Sequence, residues 1–149
     1  MYKLNLPEFN IALRKEQGKV WIFDIIRKKY VVLTPEEWVR QHFIHYLINE
    51  LSYPKALFKV ERGLTYNKLH KRSDIIIHDR TGKPWMLVEC KAPEIKLTQK
   101  AFNQVAVYNM TVGARYVAVT NGMAQYCFEA LAKPGSPVQF LEAFPKFDV

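Results

Sequence analysis

Asp74, Glu89 and Lys91 are the residues of this chain whose types and spacing could carry out a reaction. They lie in the segment from Arg72 to Lys91. There two apolar runs, Ile75-Ile76-Ile77 and Trp85-Met86-Leu87-Val88, flank the turn-forming Asp79-Arg80-Thr81-Gly82, which predicts a β-hairpin. Strand side chains alternate with a period of two, so Trp85, Leu87, Glu89 and Lys91 are expected on one face and Met86, Val88 and Cys90 on the other. With Thr81-Gly82 as a two-residue loop, the ladder sets Asp74 opposite Glu89. A four-residue loop sets Asp74 opposite Leu87 on the same face, whereas an odd loop without a compensating bulge would turn Asp74 away. Two carboxylates side by side in an apolar sheet repel each other and resist desolvation unless a cation or a proton neutralises them. A hard divalent ion does this well. Two acids, an ion and a nearby ammonium are what metal-dependent phosphodiester hydrolysis needs, the ion to activate water and the ammonium to offset developing charge. An ordinary ion-pair network at a solvated sheet edge draws on the same residue types.

Other elements must hold this hairpin in place. Residues 1 to 19 read as a polar lead-in. Val20 to Phe23 and Tyr30 to Leu33 read as short strands around Arg27-Lys28-Lys29, an accessory hairpin. Thr34-Pro35-Glu36-Glu37 is a helix start, with Thr34 as N-cap, Pro35 at the first helical position and Glu37 completing a capping box. The helix is expected to reach Glu50, with Trp38, Ile44, Leu47, Ile48 and Leu51 as its apolar stripe. Leu57 to Glu61 predicts a strand. A loop containing Gly63 and Asn67 follows, then the basic cluster Lys68, His70, Lys71 and Arg72 beside Asp74. Thr98 caps a second helix that Gly113 stops near Val112; Arg115 to Thr120 reads as a buried strand, Asn121-Gly122 as a turn, and Ala124 to Ala130 and Val138 to Leu141 as further strands. His42 and His45 form an H-x-x-H that lacks a nearby ligand set and is read as surface.

The 149 residues suffice for one domain with its own core. A hydrophobic fraction of 49% and a charged fraction of 24% are those of a globular chain. Lys and Arg number 22 against 14 Asp and Glu, and the formal charge of +8 favours polyanionic partners, nucleic acid first. Cys90 and Cys127 form no CxxC pair and lie inside apparent strands, so neither zinc nor a disulfide framework is indicated and a reducing, cytoplasmic setting is expected. No apolar run approaches the roughly 20 residues that span a bilayer, and residues 1 to 8 lack a signal-peptide core.

The order helix, strand, hairpin with Asp and Glu-x-Lys, helix, strand resembles the PD-(D/E)xK nuclease superfamily. Leu33-Thr34-Pro35-Glu36-Glu37-Trp38-Val39-Arg40-Gln41, Val88-Glu89-Cys90-Lys91-Ala92-Pro93 and Gln104-Val105-Ala106-Val107-Tyr108-Asn109 resemble recurring segments of the nuclease domain at the N-terminus of type I restriction enzyme R subunits. The likeness covers residues 20 to 130. It implies an α/β fold with a restriction-endonuclease-like core, a central mixed β-sheet flanked by helices in the order αβββαβ. Residues 1 to 149 would form a single nuclease-like domain, with 1 to 33 as an N-terminal extension.

The resemblance further implies a Mg²⁺-dependent endonuclease acting on DNA, with Mn²⁺ as a substitute, and protein partners that supply targeting or motor activity. Asp74 and Glu89 would hold the metal, with the Cys90 carbonyl as a further ligand, since oxygen-only donors suit Mg²⁺. Lys91 would be the catalytic lysine. Gln104 and Tyr108 match a Q-x3-Y motif that positions the metal site and nearby nucleic acid; as an i, i+4 pair they also fit the margin of an amphipathic helix. Glu37 would add a helix acid to the metal shell, with Glu36 its substitute, while its capping position explains it without catalysis. Lys68, Lys71 and Arg72 suit backbone phosphates, Lys96 and Lys100 less so. Ser73 stands where the superfamily pattern has proline. The chain has no GxxxxGK[ST] phosphate loop and would not translocate DNA by itself. A non-catalytic nucleic-acid-binding or assembly module with the same fold is the competing reading, and RNA or branched or single-stranded DNA the competing substrates.

Overall fold

A computed structural model describes the backbone of residues 1, 3–60, 64–66, 69–71 and 75–147, and the side chains of residues 1, 3–60 and 75–147. Asp74, Arg72 and Lys68 lie outside the described residues, as does the side chain of Lys71.

The chain begins with three short strands, β1 (Leu13–Glu16), β2 (Lys19–Asp24) and β3 (Lys29–Val32), which pair antiparallel in the order β1-β2-β3. The expected hairpin is therefore a three-stranded sheet whose third strand comes from the supposed lead-in. Helix α1 spans Pro35–Asn49, and the Thr34 hydroxyl accepts from the Glu37 backbone N–H at 3.0 Å as an N-cap should, but the Glu37 carboxylate bonds Arg27, Arg40 and Gln41 instead of closing the expected capping box. A 3₁₀ turn at Lys55–Leu57 leads into β4 (Phe58–Val60). The stretch read as a loop contains a small ribbon of its own, β5 (Leu64–Tyr66) paired with β6 (Leu69–Lys71). Then come β7 (Ile75–His78), β8 (Pro84–Cys90), α2 (Gln99–Val112), β9 (Tyr116–Thr120) and β10 (Gln125–Glu129). Gly113, in the left-handed region at φ 81°, ends α2 where expected. Val138 to Leu141 forms no strand, only a bridge from Phe140 to Phe128.

The central sheet runs β10-β9-β8-β7-β4, with β8 and β9 parallel and every other pair antiparallel. It is a mixed sheet with a helix on each face, the α/β architecture expected. Val39, Phe43, Ile44 and Leu47 of α1 meet Ile75, Ile77, Met86, Val88 and Cys90 on one face. Phe102, Val105 and Ala106 of α2 meet Ile76, Leu87, Val117 and Val119 on the other. Phe43, Ile44 and Leu47 are fully enclosed, each contributing about 1.5–3 kcal/mol by removing apolar surface from water. Among the described residues no helix is long and apolar enough to cross a membrane.

Of the two histidines of α1, His42 is buried and His45 half-buried. His42 is 5% exposed, its Nδ1 lies 2.8 Å from the Trp38 carbonyl, and Phe9 stacks on His45 and sets its edge against His42. Burial holds both imidazoles below their ordinary range, while the Trp38 carbonyl and Glu8 partly restore His42. An unfolded imidazole titrates near 6.5, so as the pH falls through that value the unfolded chain binds more protons than the folded one. This share of stability is complete above about pH 6.5 and is lost below it. Thermal unfolding midpoints should therefore drop between about pH 7 and 5, and drop less in His42→Phe. An identical pH profile in the variant would remove His42 from the account.

Candidate functional site

The hairpin that carries Glu89 reaches the expected register by an unexpected route. Ile75, Ile76 and Ile77 pair with Val88, Leu87 and Met86, but His78 pairs with Pro84, so one residue of β8, Trp85, has no counterpart. The loop is odd. The Asp79 N–H donates to the Lys83 carbonyl at 2.8 Å and the Gly82 N–H to the Asp79 carbonyl at 3.1 Å, leaving Arg80, Thr81 and Gly82 between the flanking pair. Gly82 stands at φ 89°, the left-handed residue that a three-residue hairpin loop demands. The Asp79 carboxylate accepts from the Thr81 N–H and hydroxyl and from the Lys83 N–H, and these bonds hold its pKa below the usual range. A three-residue loop alone would flip the parity of β7 against β8, and the bulge at Trp85 flips it back.

Trp85 itself is thereby corrected: it does not share the face of Leu87 and Glu89. It packs in the layer of Met86 and α1, edge-on to Tyr53, Tyr116 and Phe147 at ring-centre distances of 5.4, 5.1 and 5.0 Å. From Ile77 and Met86 onward the ladder keeps the register that the two-residue loop would have given. Asp74 precedes Ile75 by one residue and lies outside the described residues.

Glu89 and Lys91 come together at the end of β8. The Lys91 ammonium is 3.8 Å from the Glu89 carboxylate, whose side chain is 7% exposed against 35% for the lysine. Glu89 thus offers a nearly buried carboxylate, with a cation at its open side that still reaches solvent. The backbone behind them is fixed by β9: the Lys91 N–H donates to the Thr120 carbonyl at 2.8 Å, and the Asn121 side-chain amide donates to the Ile95 carbonyl, tying down the loop that follows. The Asn121 carboxamide oxygen in turn accepts from the Met123 and Ala124 N–H groups, so a turn seen in the sequence only as Asn-Gly also braces the site. Gly122 is needed there, because at φ 84° a side chain is strained and a Cβ would meet Leu4 at 2.9 Å.

Gln104 and Tyr108 lie on α2, the helix that covers the Leu87 face. Gln104 is exposed, whereas Tyr108 is 5% exposed and packs in the α2 core layer. Lys96 and Lys100 are exposed beside the start of that helix.

Glu37 sits on α1, over the opposite face, and its carboxylate is already engaged. One oxygen accepts from the Arg27 and Arg40 guanidiniums at 3.0 and 2.9 Å, the other from the Gln41 amide at 2.9 Å. Arg27 also pairs with the fully buried Asp24, and Arg40 with Glu36 at 2.7 Å. Burial opposes the charge of Arg40, yet Cys90, Glu37 and Glu36 outweigh it and hold the guanidinium protonated. The local sequence marks Glu37 but not this network. Asp24 and Arg27 sit in and beside β2, and only tertiary packing brings them to the helix.

Glu89 and the Cys90 carbonyl are hard oxygen donors, while both cysteines are buried and outside any disulfide; burial pushes the Cys127 thiol up to about 12. The donor set suits a hard cation such as Mg²⁺. Among the described residues no three His, Cys, Asp or Glu side chains gather as a metal-binding group, so a two-acid site calls on Asp74. A family model described as the type I restriction enzyme R protein N terminus matches residues 35–145, from the first residue of α1 to beyond β10. No curated protein matches the chain.

Proposed function

From the premise that the chain belongs to the family of type I restriction enzyme R protein N termini, we propose that it hydrolyses DNA phosphodiester bonds with Mg²⁺, acting beside partner subunits that provide targeting or motor activity. The observation that carries this reading is the Glu89–Lys91 pair at the end of β8, set on the hairpin where the superfamily keeps its Glu-x-Lys.

Asp74 and Glu89 would hold the ion, with the Cys90 carbonyl as a further ligand. When bound, the ion polarises a phosphoryl oxygen and acidifies water. Lys91 places its ammonium where charge accumulates on the phosphoryl oxygens, and its partial exposure lets a phosphate approach. Glu89 keeps that ammonium in place. Gln104 orients the nearby strand from the exposed side of α2, while Tyr108, packed in the core layer, holds that helix in place. Lys68, Lys71 and Arg72, next to Asp74 in sequence, contact flanking phosphates, which positions the strand without reading its bases. Glu37 acts at a distance in this scheme, as the counter-ion that fixes α1 to β2.

The test is an assay of the full chain on supercoiled, linear, single-stranded and branched DNA and on RNA, with Mg²⁺, Mn²⁺ or chelator. Cleavage of DNA with Mg²⁺, retained with Mn²⁺ and abolished by chelator and by Asp74→Asn, is the expected result. Binding without cutting on every substrate and with either metal would make the chain a binding or assembly module instead.

A further inference from the structure

Residues 13–32 carry six Lys and Arg against two acids, a formal +4 that is half of the +8 of the whole chain. They form β1, β2 and β3, which lie outside the family match. Pairing in this sheet sorts its side chains cleanly. Ile22 and Val31 are opposite each other and buried. Arg14, Trp21 and Val32 form one row of the other face, and Phe23 and Tyr30 the next. Trp21, Phe23 and Tyr30 are only half-buried. The Arg14 guanidinium lies 4.4 Å over the Tyr30 ring, Phe23 meets Tyr30 edge-on at 5.3 Å, and the Trp21 indole N–H donates to the Glu16 carbonyl at 3.3 Å.

We propose that this outer face is a docking surface for single-stranded nucleic acid, leading the strand toward Lys91. Rings held on a rigid sheet among cations match what unpaired bases and their phosphates require: bases stack on the rings while the positive charge follows the backbone. A duplex keeps its base faces covered, so the rings select unpaired strand. Charge complementarity singles out nucleic acid as the occupant, because the basic side chains of this face, Arg14 and Lys19, form no ion pair among the described residues and outnumber its one acid, Glu16.

The path onward is a cleft of about 610 Å³ at the start of α1, lined by Trp21, Tyr30 and Val32 on one side and by Ala92 and Glu94 on the other. Ala92 directly follows Lys91. Arg27, Arg40, Glu36 and Glu37 also line the cleft, but they neutralise one another in ion pairs, which leaves Lys29 and Glu94 as the remaining charged side chains of its lining. The inference rests on the reading that the chain acts on nucleic acid, and it names the strand state that reaches the site.

The experiment is fluorescence anisotropy of the full chain in chelator, with labelled oligo(dT) of about 20 nucleotides and a duplex of equal length. Oligo(dT) should bind more tightly than the duplex. Trp21→Ala with Tyr30→Ala should weaken oligo(dT) binding by about tenfold or more, and Trp21→Phe should keep most of it. Arg14→Ala with Lys19→Ala should flatten the dependence of affinity on salt. Unfolding midpoints confirm that each variant is folded. Unchanged oligo(dT) affinity in the folded Trp21 and Tyr30 variant, a preference for duplex, or no binding of oligo(dT) at all would overturn the proposal, the last leaving the face to a protein partner. The two readings fail separately. A chain that binds through this sheet yet never cuts refutes the nuclease alone, and one that cuts while the sheet variants bind normally refutes the docking surface alone.

Discussion

Lys91→Ala should cut DNA at least about a hundredfold more slowly than the parent chain, with its unfolding midpoint almost unchanged. The two halves of that expectation come from different features of the same side chain. Lys91 is about one-third exposed and its ammonium stands 3.8 Å from Glu89, and a partly solvated pair of this kind is worth about 0–1 kcal/mol to the fold. Its value to a reaction is larger, because an ammonium anchored beside a buried carboxylate needs no reorganisation when charge develops on the phosphoryl oxygens. Since that charge develops only on the way to the transition state, kcat should fall while KM stays near its parent value. Lys91→Arg keeps the charge but spreads it over a planar fork, so it should recover only part of the rate. Undiminished cleavage by Lys91→Ala would place the chemistry elsewhere.

How far the sequence reveals this arrangement depends on whether local or tertiary forces set each part. The helix ends were legible because caps are local chemistry: Thr34, Pro35, Thr98 and Gly113 stand where the structure starts and stops its helices. The common face of Glu89 and Lys91 was legible because strand alternation is local as well. Trp85 was misplaced for an instructive reason. Asp79 and Gly82 form a three-residue loop, and the bulge that corrects its parity leaves no mark in the apolar pattern. Two irregularities cancel at Glu89 but not at Trp85, which lies between them.

The buried polar groups were the least legible. Nothing in the local pattern shows that Phe9 will fold back over His42 and His45, or that β2 will deliver Asp24 and Arg27 to the start of α1. Periodicity found Ile44 and Leu47 of that helix's buried face and missed Val39 and Phe43, and Glu37, Arg40, Gln41 and His42 are all buried as well. Such residues read as solvent-facing until their partners, drawn from distant segments, are known.

Glu37 is where this blindness has the largest energetic consequence. Glu37→Ala should lower the stability of the chain by about 3–5 kcal/mol, seen as a lower urea midpoint. Arg40 is 3% exposed and loses its buried counter-ion, and Arg27 loses one of two acids. Desolvation of a buried guanidinium that keeps the partly exposed Glu36 but has lost its buried acid, rather than the lost attraction itself, sets that cost. Removing both charges should therefore do less harm than removing one: Glu37→Leu with Arg40→Met should recover a large part of the loss, since well-packed apolar groups replace a buried ion pair at little cost. A metal-binding role predicts the opposite pattern. Glu37→Gln would then keep the parent urea midpoint and lose cleavage, an outcome that would return this carboxylate to the reaction and end its reading as the counter-ion that fastens α1 to the N-terminal sheet.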